Sequence, residues 1–263
     1  MKINAKRLIE RLDALAEFGR DISGGWSRFS FTPEYMQAQK LVQQWMKEAG
    51  MHVRVDAAGN LIGRLEGLEP NLPVVAAGSH IDTVKNGGKF DGSLGVVGAL
   101  EVAQTIKEND IKHRHPVEVI VFVEEEGARF GSGLFGSRAV VGEISTEFLH
   151  QQKDNNGISL YQAMQLAGLD PEKITEARVP AGYYKAYFEL HIEQGAILDS
   201  LGIPVGIVEC IAGPVWLKVQ LTGRACHAGA TPMHFRQDAL AAAAELILSV
   251  EKLALETGES TVA

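Results

Sequence analysis

Cysteine is nearly absent: Cys210 and Cys226 are the only two in 263 residues, which excludes a small scaffold stapled by disulfides. No stretch approaches the roughly 20 apolar residues that a membrane-spanning helix needs. Positive charge is in deficit, with 25 Lys and Arg against 33 Asp and Glu and a net charge of −8. No Lys/Arg block offsets it, so nucleic acid and anionic membranes are poor partners. The opening MKINAKRLIERLDALAEFGR lacks the apolar stretch and small-residue cleavage site of a signal peptide, and a cytoplasmic location is expected. Tandem repeats and low-complexity tracts are missing too. What is there is a globular composition, 46% hydrophobic and 22% charged. The length suits one large α/β unit or one domain plus a second piece. Glycine is abundant, at 28 residues, and many glycines stand beside His, Asp or Glu.

Apolar periodicity organises the chain. Ala38, Leu41, Val42, Trp45, Met46 and Ala49 recur at helical spacing over residues 33–49; Thr32-Pro33 starts that helix and Gly50 stops it. His52 to Val55 and Leu61 to Leu65 flank Ala58-Gly59-Asn60 and predict a hairpin. Pro73 to Ala77 reads as a buried strand ending at Gly78-Ser79-His80. A Gly-rich loop then leads to a helix over 93–108, and PVEVIVFV (116–123) reads as a second apolar strand followed at once by Glu124-Glu125-Glu126. Strand, loop, helix, strand is a βαβ unit, and in open α/β sheets sites form where loops leave the carboxyl ends of strands. Helical pieces are expected near 145–152 and 159–167. Residues 184–193 alternate, with Ala186, Phe188, Leu190 and Ile192 on one face and Glu189, His191 and Glu193 on the other. Composition shifts at Ala212-Gly213-Pro214, which predicts a domain boundary near residue 212. Beyond it a strand is expected over 215–221, a loop over 223–232, a helix over 237–256, and the start of another strand in the final Glu-Ser-Thr-Val-Ala.

The densest chemistry lies in GSHIDT (78–83), GGKFDG (87–92) and EEEG (124–127). Neutral imidazole and carboxylates at strand ends suit borderline divalent cations such as Zn²⁺, Mn²⁺, Co²⁺ or Ni²⁺. His80 and Asp82, two apart in extended chain, point the same way, so Asp82 is expected to take the free ring N–H of His80 and orient it. Asp91, between glycines, can offer one oxygen to each of two ions. Of the three glutamates, one can ligate while its neighbour stays free as a base. Taken singly, each residue reads more plainly as a sheet-capping His or a solvated acidic turn. Together, like charges beside one buried strand repel unless a cation or arginines neutralise them, a task Arg129 and Arg138 can share. His191 gains weight because this group wants a further imidazole. His227, in GRACHAGATP (223–232), can hydrogen-bond a substrate carbonyl or simply close a turn. His52, His113, His115, His150 and His234 lack acidic company.

Other motifs fail on context. GSGLFG (131–136) is a literal G-x-G-x-x-G, but a polar loop separates it from Val123, whereas a dinucleotide site needs a tight strand-to-helix turn. Gly88-Lys89 lacks the Ser/Thr of a P-loop, and no serine stands in a G-x-S-x-G elbow. Cys226 and His227 are adjacent, so on extended backbone they face opposite ways and make no nucleophile pair.

GSHIDTVKNGGKFDG, EEEGARFGSGLFGSR, ELHIEQG and GRACHAGATPM, in this order and spacing, resemble the M20-type metallohydrolases. EEEGARF followed by HIEQG is similar to the branch that holds N-carbamoyl-L-amino acid hydrolases, allantoate amidohydrolases and β-ureidopropionases. SGGWSR (23–28) and IVECIAG (207–213) also look like the L-carbamoylase subgroup. The resemblance implies an α/β fold, a mixed sheet flanked by helices forming the catalytic domain over 1–211, with part of a smaller α/β lid and dimerisation domain over 212–263. It implies two divalent ions per subunit, with His80 and His191 holding one, Asp91 bridging and Glu126 holding the other. Glu125 would be the general acid/base with Asp82 behind His80, His227 would polarise the substrate carbonyl from the lid, and Gln194 would contact substrate. The implied partners are a small ureido-acid substrate and a second copy of the chain.

The resembled family runs further. The rest of the lid, a grip on the substrate carboxylate and a final His ligand are expected beyond residue 263. The chain is therefore expected to be a fragment, or else a truncated, non-catalytic metal-binding remnant, with exposed apolar surface.

Overall fold

The computed structural model describes residues 2–213, 215 and 217–258. It divides into two compact units, Met1–Gly202 and Ile203–Ala263, separating ahead of the composition shift at Ala212-Gly213.

The first unit opens with α1 (Ala5–Leu15), whose first turn is capped by the Asn4 side chain. In α2 (Pro33–Glu48) the Thr32 hydroxyl accepts the Tyr35 N–H and proline occupies the first turn. That position wastes no hydrogen bond, because the first N–H groups of a helix lack partners anyway. β1 (His52–Val55) and β2 (Leu61–Leu65) pair as the expected antiparallel hairpin. β3 (Val74–His80), α3 (Ser93–Glu108) and β4 (Val117–Phe122) form the βαβ unit, with β3 and β4 parallel and adjacent. Then follow α4 (Phe135–Val141), α5 (Thr146–Gln151), α6 (Leu160–Leu166) and a 3-10 turn at Pro171–Ala177. A full capping box of Ser159 and Gln162 starts α6. β5 (Tyr184–Phe188) pairs parallel to β3, and α7 (Ile197–Leu201) closes the unit.

The strands run in the order β1-β2-β4-β3-β5, antiparallel across β1, β2 and β4 and parallel across β4, β3 and β5. This is the mixed sheet flanked by helices that the sequence implies. Alternation decides which side chains meet the helices. Leu61, Leu65, Val119 and Val121 join Val42, Met46, Val96 and Leu100 in the main core, while Ile62, Ala76 and Ile120 form a smaller cluster on the opposite face. Full burial of a side chain such as Leu100 is worth about 1.5–3 kcal/mol.

Two strand expectations change. The 184–193 run leaves the sheet after Phe188, and the Leu190 carbonyl passes so close to α3 that a Cβ on Gly95 would lie 2.5 Å from it. Leu190 therefore lies against the first turns of α3 instead of continuing a ladder. In the second unit, residues 217–221 form no strand. Alternation alone does not make one, since a strand needs a neighbour for its N–H and C=O groups. A helix, α8 (Ala239–Thr257), follows there, capped by Asp238. The strand expected at 259–263 lies outside the described residues. Among the described residues no helix is long and apolar enough to cross a membrane.

Candidate metal centre

Three neighbouring parallel strands deliver their following segments to one edge of the sheet. His80 is the last residue of β3, the chain leaving β4 reaches Glu124-Glu125-Glu126, and the chain leaving β5 reaches His191. The β3–α3 loop adds Asp91. Gly92 permits this approach: its φ is +60° and a Cβ there would lie 2.5 Å from the His80 ring. Only glycine takes that conformation at no steric cost.

The two imidazoles are held alike. His80 Nδ1 lies 3.0 Å from the Asp82 carbonyl and His191 Nδ1 lies 2.9 Å from the Ile192 carbonyl. A carbonyl only accepts, so Nδ1 of each ring carries a proton and Nε2 is the atom left to turn toward the site. Both Nε2 atoms face one oxygen: Asp91 Oδ1 is 3.7 Å from His80 Nε2 and 3.2 Å from His191 Nε2. That oxygen is buried without a hydrogen-bond partner. Ligand atoms of the three residues all lie within 4.8 Å of one another. Two imidazole nitrogens and a carboxylate oxygen turned on one point, with both Nδ1 protons directed elsewhere, make a set that a cation can join. A tetrahedral ion with bonds of about 2.0–2.1 Å separates its ligand atoms by about 3.3–3.4 Å, close to the 3.7 and 3.2 Å from Asp91 Oδ1 to the two Nε2 atoms. The donor set of two imidazoles and a carboxylate fits a borderline divalent metal.

The remaining acidic groups divide their tasks. Glu125 Oε2 lies 3.5 Å from His80 Nε2. Burial raises its proton affinity; His80 opposes that rise, and Asp82, Glu189 and Asp91 add to it. Burial likewise pushes Glu126 up to about 7, with Asp91, Glu125 and Asp82 reinforcing and His80 opposing. Glu126 stands outside the group of His80, Asp91 and His191. Asp82 acts differently from the expectation. Its backbone carbonyl, not its carboxylate, takes the His80 ring proton; the carboxylate Oδ1 is 3.7 Å from Nδ1. Oδ2 accepts the Glu126 N–H at 3.1 Å, so the carboxylate braces the glutamate loop.

The arginines do not neutralise this charge. Arg129 pairs with Asp154 at 3.2 Å and bonds the Ser30 carbonyl at 2.7 Å, while Arg138 turns to Glu143 and Ser132. Glu124, which sequence reasoning did not separate from its neighbours, is a structural clamp. It is buried, accepts the Ser30 hydroxyl and the Phe130 N–H, and is pushed up to about 7 mainly by burial. Its φ of +51° marks the turn that sends it inward, a signal no side-chain pattern carries. The glycines of 131–136 serve packing: the Gly136 N–H bonds the Val123 carbonyl at 2.9 Å, and a Cβ there would lie 2.2 Å from Asn60 Oδ1.

Gln194, also at positive φ, donates from Nε2 to Asp91 Oδ2 at 2.7 Å. Glu193 accepts the Ile197 and Leu198 N–H groups at 2.7 and 2.8 Å and so caps α7. His227 belongs to the second unit. Its Nδ1 accepts the Gly229 and Ala230 N–H groups, each at 3.0 Å. Closing that turn leaves the ring proton on Nε2, where it is free to donate. Cys210 and Cys226 are exposed free thiols.

Comparison with known proteins follows the same lines. Residues 76–262 match the peptidase family M20/M25/M40. The chain is 52% identical over 256 residues to the N-carbamoyl-L-amino acid amidohydrolase of Geobacillus stearothermophilus, covering 97% of this chain and 62% of the relative. It is 40% identical over 262 residues to the ureidoglycolate hydrolase of Arabidopsis thaliana, covering 98% of this chain and 55% of the relative. A crystal structure of a hydantoinase/carbamoylase family amidase from Burkholderia ambifaria aligns with a TM-score of 0.79 at 34% identity, over 98% of this chain and 62% of that one. The chain thus spans about three-fifths of the length of such relatives, 62% in the Geobacillus case.

Proposed function

The chain belongs to peptidase family M20/M25/M40, and on that premise we propose that it forms part of a binuclear metal-dependent amidohydrolase. The substrate is an N-carbamoyl-L-amino acid, and the products are the free amino acid, CO₂ and ammonia. The observation that carries this reading is the convergence of His80 Nε2, His191 Nε2 and Asp91 Oδ1, with each ring's Nδ1 turned to a backbone carbonyl. The 52% identity to an N-carbamoyl-L-amino acid amidohydrolase supports the substrate class.

In this reading His80 and His191 would hold one ion, Asp91 would be shared and Glu126 would hold the other, with Zn²⁺ or Mn²⁺ as the metal and Co²⁺ or Ni²⁺ as substitutes. Such ions supply Lewis acidity, making water a stronger acid and stabilising negative charge on oxygen. Glu125 takes the proton of the attacking water. The water oxygen bonds the ureido carbon, and the bond from that carbon to the amino-acid nitrogen breaks. Glu125 returns the proton to that nitrogen, and the carbamate released decomposes to CO₂ and ammonia. His227 donates from Nε2 to the carbonyl oxygen as charge develops there, and Gln194 contacts substrate beside Asp91. Asp82 holds the Glu125-Glu126 loop. Residues 1–211 contribute to the catalytic domain and 212–263 begin a lid through which two copies pair, in the cytoplasm.

Identity to a ureidoglycolate hydrolase supports a second reading, an enzyme for allantoate or another ureido acid. Ammonia release from N-carbamoyl-L-methionine, allantoate and ureidoglycolate, measured with this chain and with the full gene product that contains it, separates the two. Preferential turnover of the carbamoyl amino acid is expected. Metal binding without turnover of any of the three by the full gene product would leave a metal-binding remnant.

A further inference from the structure

Arg28 is among the largest fully buried side chains, 1% exposed, yet every hydrogen bond from its guanidinium goes to a neutral oxygen. Nε donates to the Ile81 carbonyl at 2.6 Å, Nη1 to the Leu15 and Phe18 carbonyls at 2.9 and 3.0 Å, and Nη2 to Ser93 Oγ at 3.1 Å. Burial pulls its pKa down to about 10, against the opposing charge of Asp82. A buried cation without a carboxylate contact is costly, so its place needs an explanation beyond stability.

The bond pattern supplies one. Leu15 is the last residue of α1 and Phe18 lies in the turn after it, where helix-end carbonyls and the helix dipole welcome a cation. Ile81 stands between His80 and Asp82. Ser93 is the first residue of α3, two residues after Asp91. The main chain adds two ties to the same loop: the Arg28 N–H donates to Thr83 Oγ1 at 2.9 Å, and the Thr83 N–H returns to the Arg28 carbonyl at 3.1 Å. One rigid, planar fork therefore spans the segment carrying His80 and the segment carrying Asp91.

We propose that Arg28 is a positioning residue for the metal centre, its guanidinium setting the separation of His80 from Asp91 by joining Ile81 to Ser93. The inference rests on the metal reading above and adds a residue that touches neither ion nor substrate. Lysine cannot replace it, because one ammonium cannot reach both anchors in fixed geometry.

The test is Co²⁺ titration of this chain, followed by visible absorption. Arg28→Met and Arg28→Lys are each expected to weaken Co²⁺ binding on the order of 10–100-fold, the usual cost of losing a group that orients a ligand, and to alter the cobalt bands. Ser93→Ala, which removes one bond and keeps the buried charge, is expected to weaken binding several-fold. It carries the test if either Arg28 variant fails to fold. Arg7→Met, which cuts a separate tie between α1 and α3, is expected to lower the melting temperature while leaving Co²⁺ affinity unchanged. Parent-like affinity and spectrum in the folded Arg28 and Ser93 variants would overturn the positioning role alone. Absence of Co²⁺ binding by the parent chain would overturn the metal reading, and this inference with it.

Discussion

Asp91 Oδ1 faces His191 Nε2 at 3.2 Å while the proton of that ring is committed to the Ile192 carbonyl on its far side. A ring nitrogen and a carboxylate oxygen held this close need something positive between them, a proton or a metal ion. His191→Ala removes one of the three converging donors, so metal affinity should fall by more than the roughly 10–100-fold typical of losing an outer partner. Elemental analysis after dialysis against a limiting chelator measures this. Full metal content in the variant would show that His191 is not a ligand.

Glu125 presents its carboxylate to the same centre without belonging to the converging group. Glu125→Gln keeps shape and removes the base. In the full gene product it should retain metal and lose turnover of an N-carbamoyl-L-amino acid on the order of 10²–10⁴-fold, the range for general acid–base catalysis. A rate within a few-fold of the parent would place the base elsewhere.

Much of this could be seen in the residues, for identifiable reasons. α2 announces itself because Thr32-Pro33 meets the needs of a helix start and its apolar stripe repeats at helical spacing. β3 and β4 are legible as buried parallel strands because they lie on both sides of a helix in a βαβ unit. The end of β5 is not legible: residues 184–193 alternate throughout, yet the chain leaves the sheet after Phe188 and the Leu190 carbonyl comes up against Gly95. At the site, the spacing of His80 and Asp82 correctly brings them together, but whether carbonyl or carboxylate takes the ring proton depends on the turn after β3. Arg129 and Arg138 are misread for a related reason. Long side chains choose among many acids, and Asp154 and Glu143 are near only after folding.

Gly92 and Gly88 lie in one loop and make a controlled pair. Gly92 has φ +60° and its added Cβ would meet the His80 ring at 2.5 Å, whereas a Cβ on Gly88 would meet nothing within 4 Å. Gly92→Ala should destabilise by about 1–3 kcal/mol from the positive-φ backbone alone, with further loss from displacing His80, and should weaken metal binding. Gly88→Ala should stay within about 0.5 kcal/mol of the parent. Urea unfolding with a metal titration on each variant tests the contrast, and equal behaviour of the two would remove the argument for Gly92.

Glu101 is fully buried on α3 and is held by Arg7 of α1 through Nε at 2.7 Å and Nη2 at 2.8 Å, with the Asn4 N–H also at 2.8 Å. Burial pushes its carboxyl up, but the Arg7 and Asn4 hydrogen bonds together outweigh that and hold it below the usual glutamate range. A folded-state pKa below the unfolded one gives stability that is present above the unfolded value, about 4.3 for glutamate, and is lost as pH falls through the folded value. Arg7→Met reverses the situation, leaving the carboxylate buried with a weaker contact to Arg11 at 3.9 Å. At pH 7 the loss should be about 1–3 kcal/mol, reduced from the 3–5 of a fully buried pair because Arg7 is partly exposed. Near pH 4 the variant can protonate Glu101 and relieve the unpaired charge, so its deficit against the parent should shrink. Urea unfolding at the two pH values reads this difference directly, and a deficit that stays constant or grows on acidification would show that Arg7 stabilises α1 by packing instead of by charge.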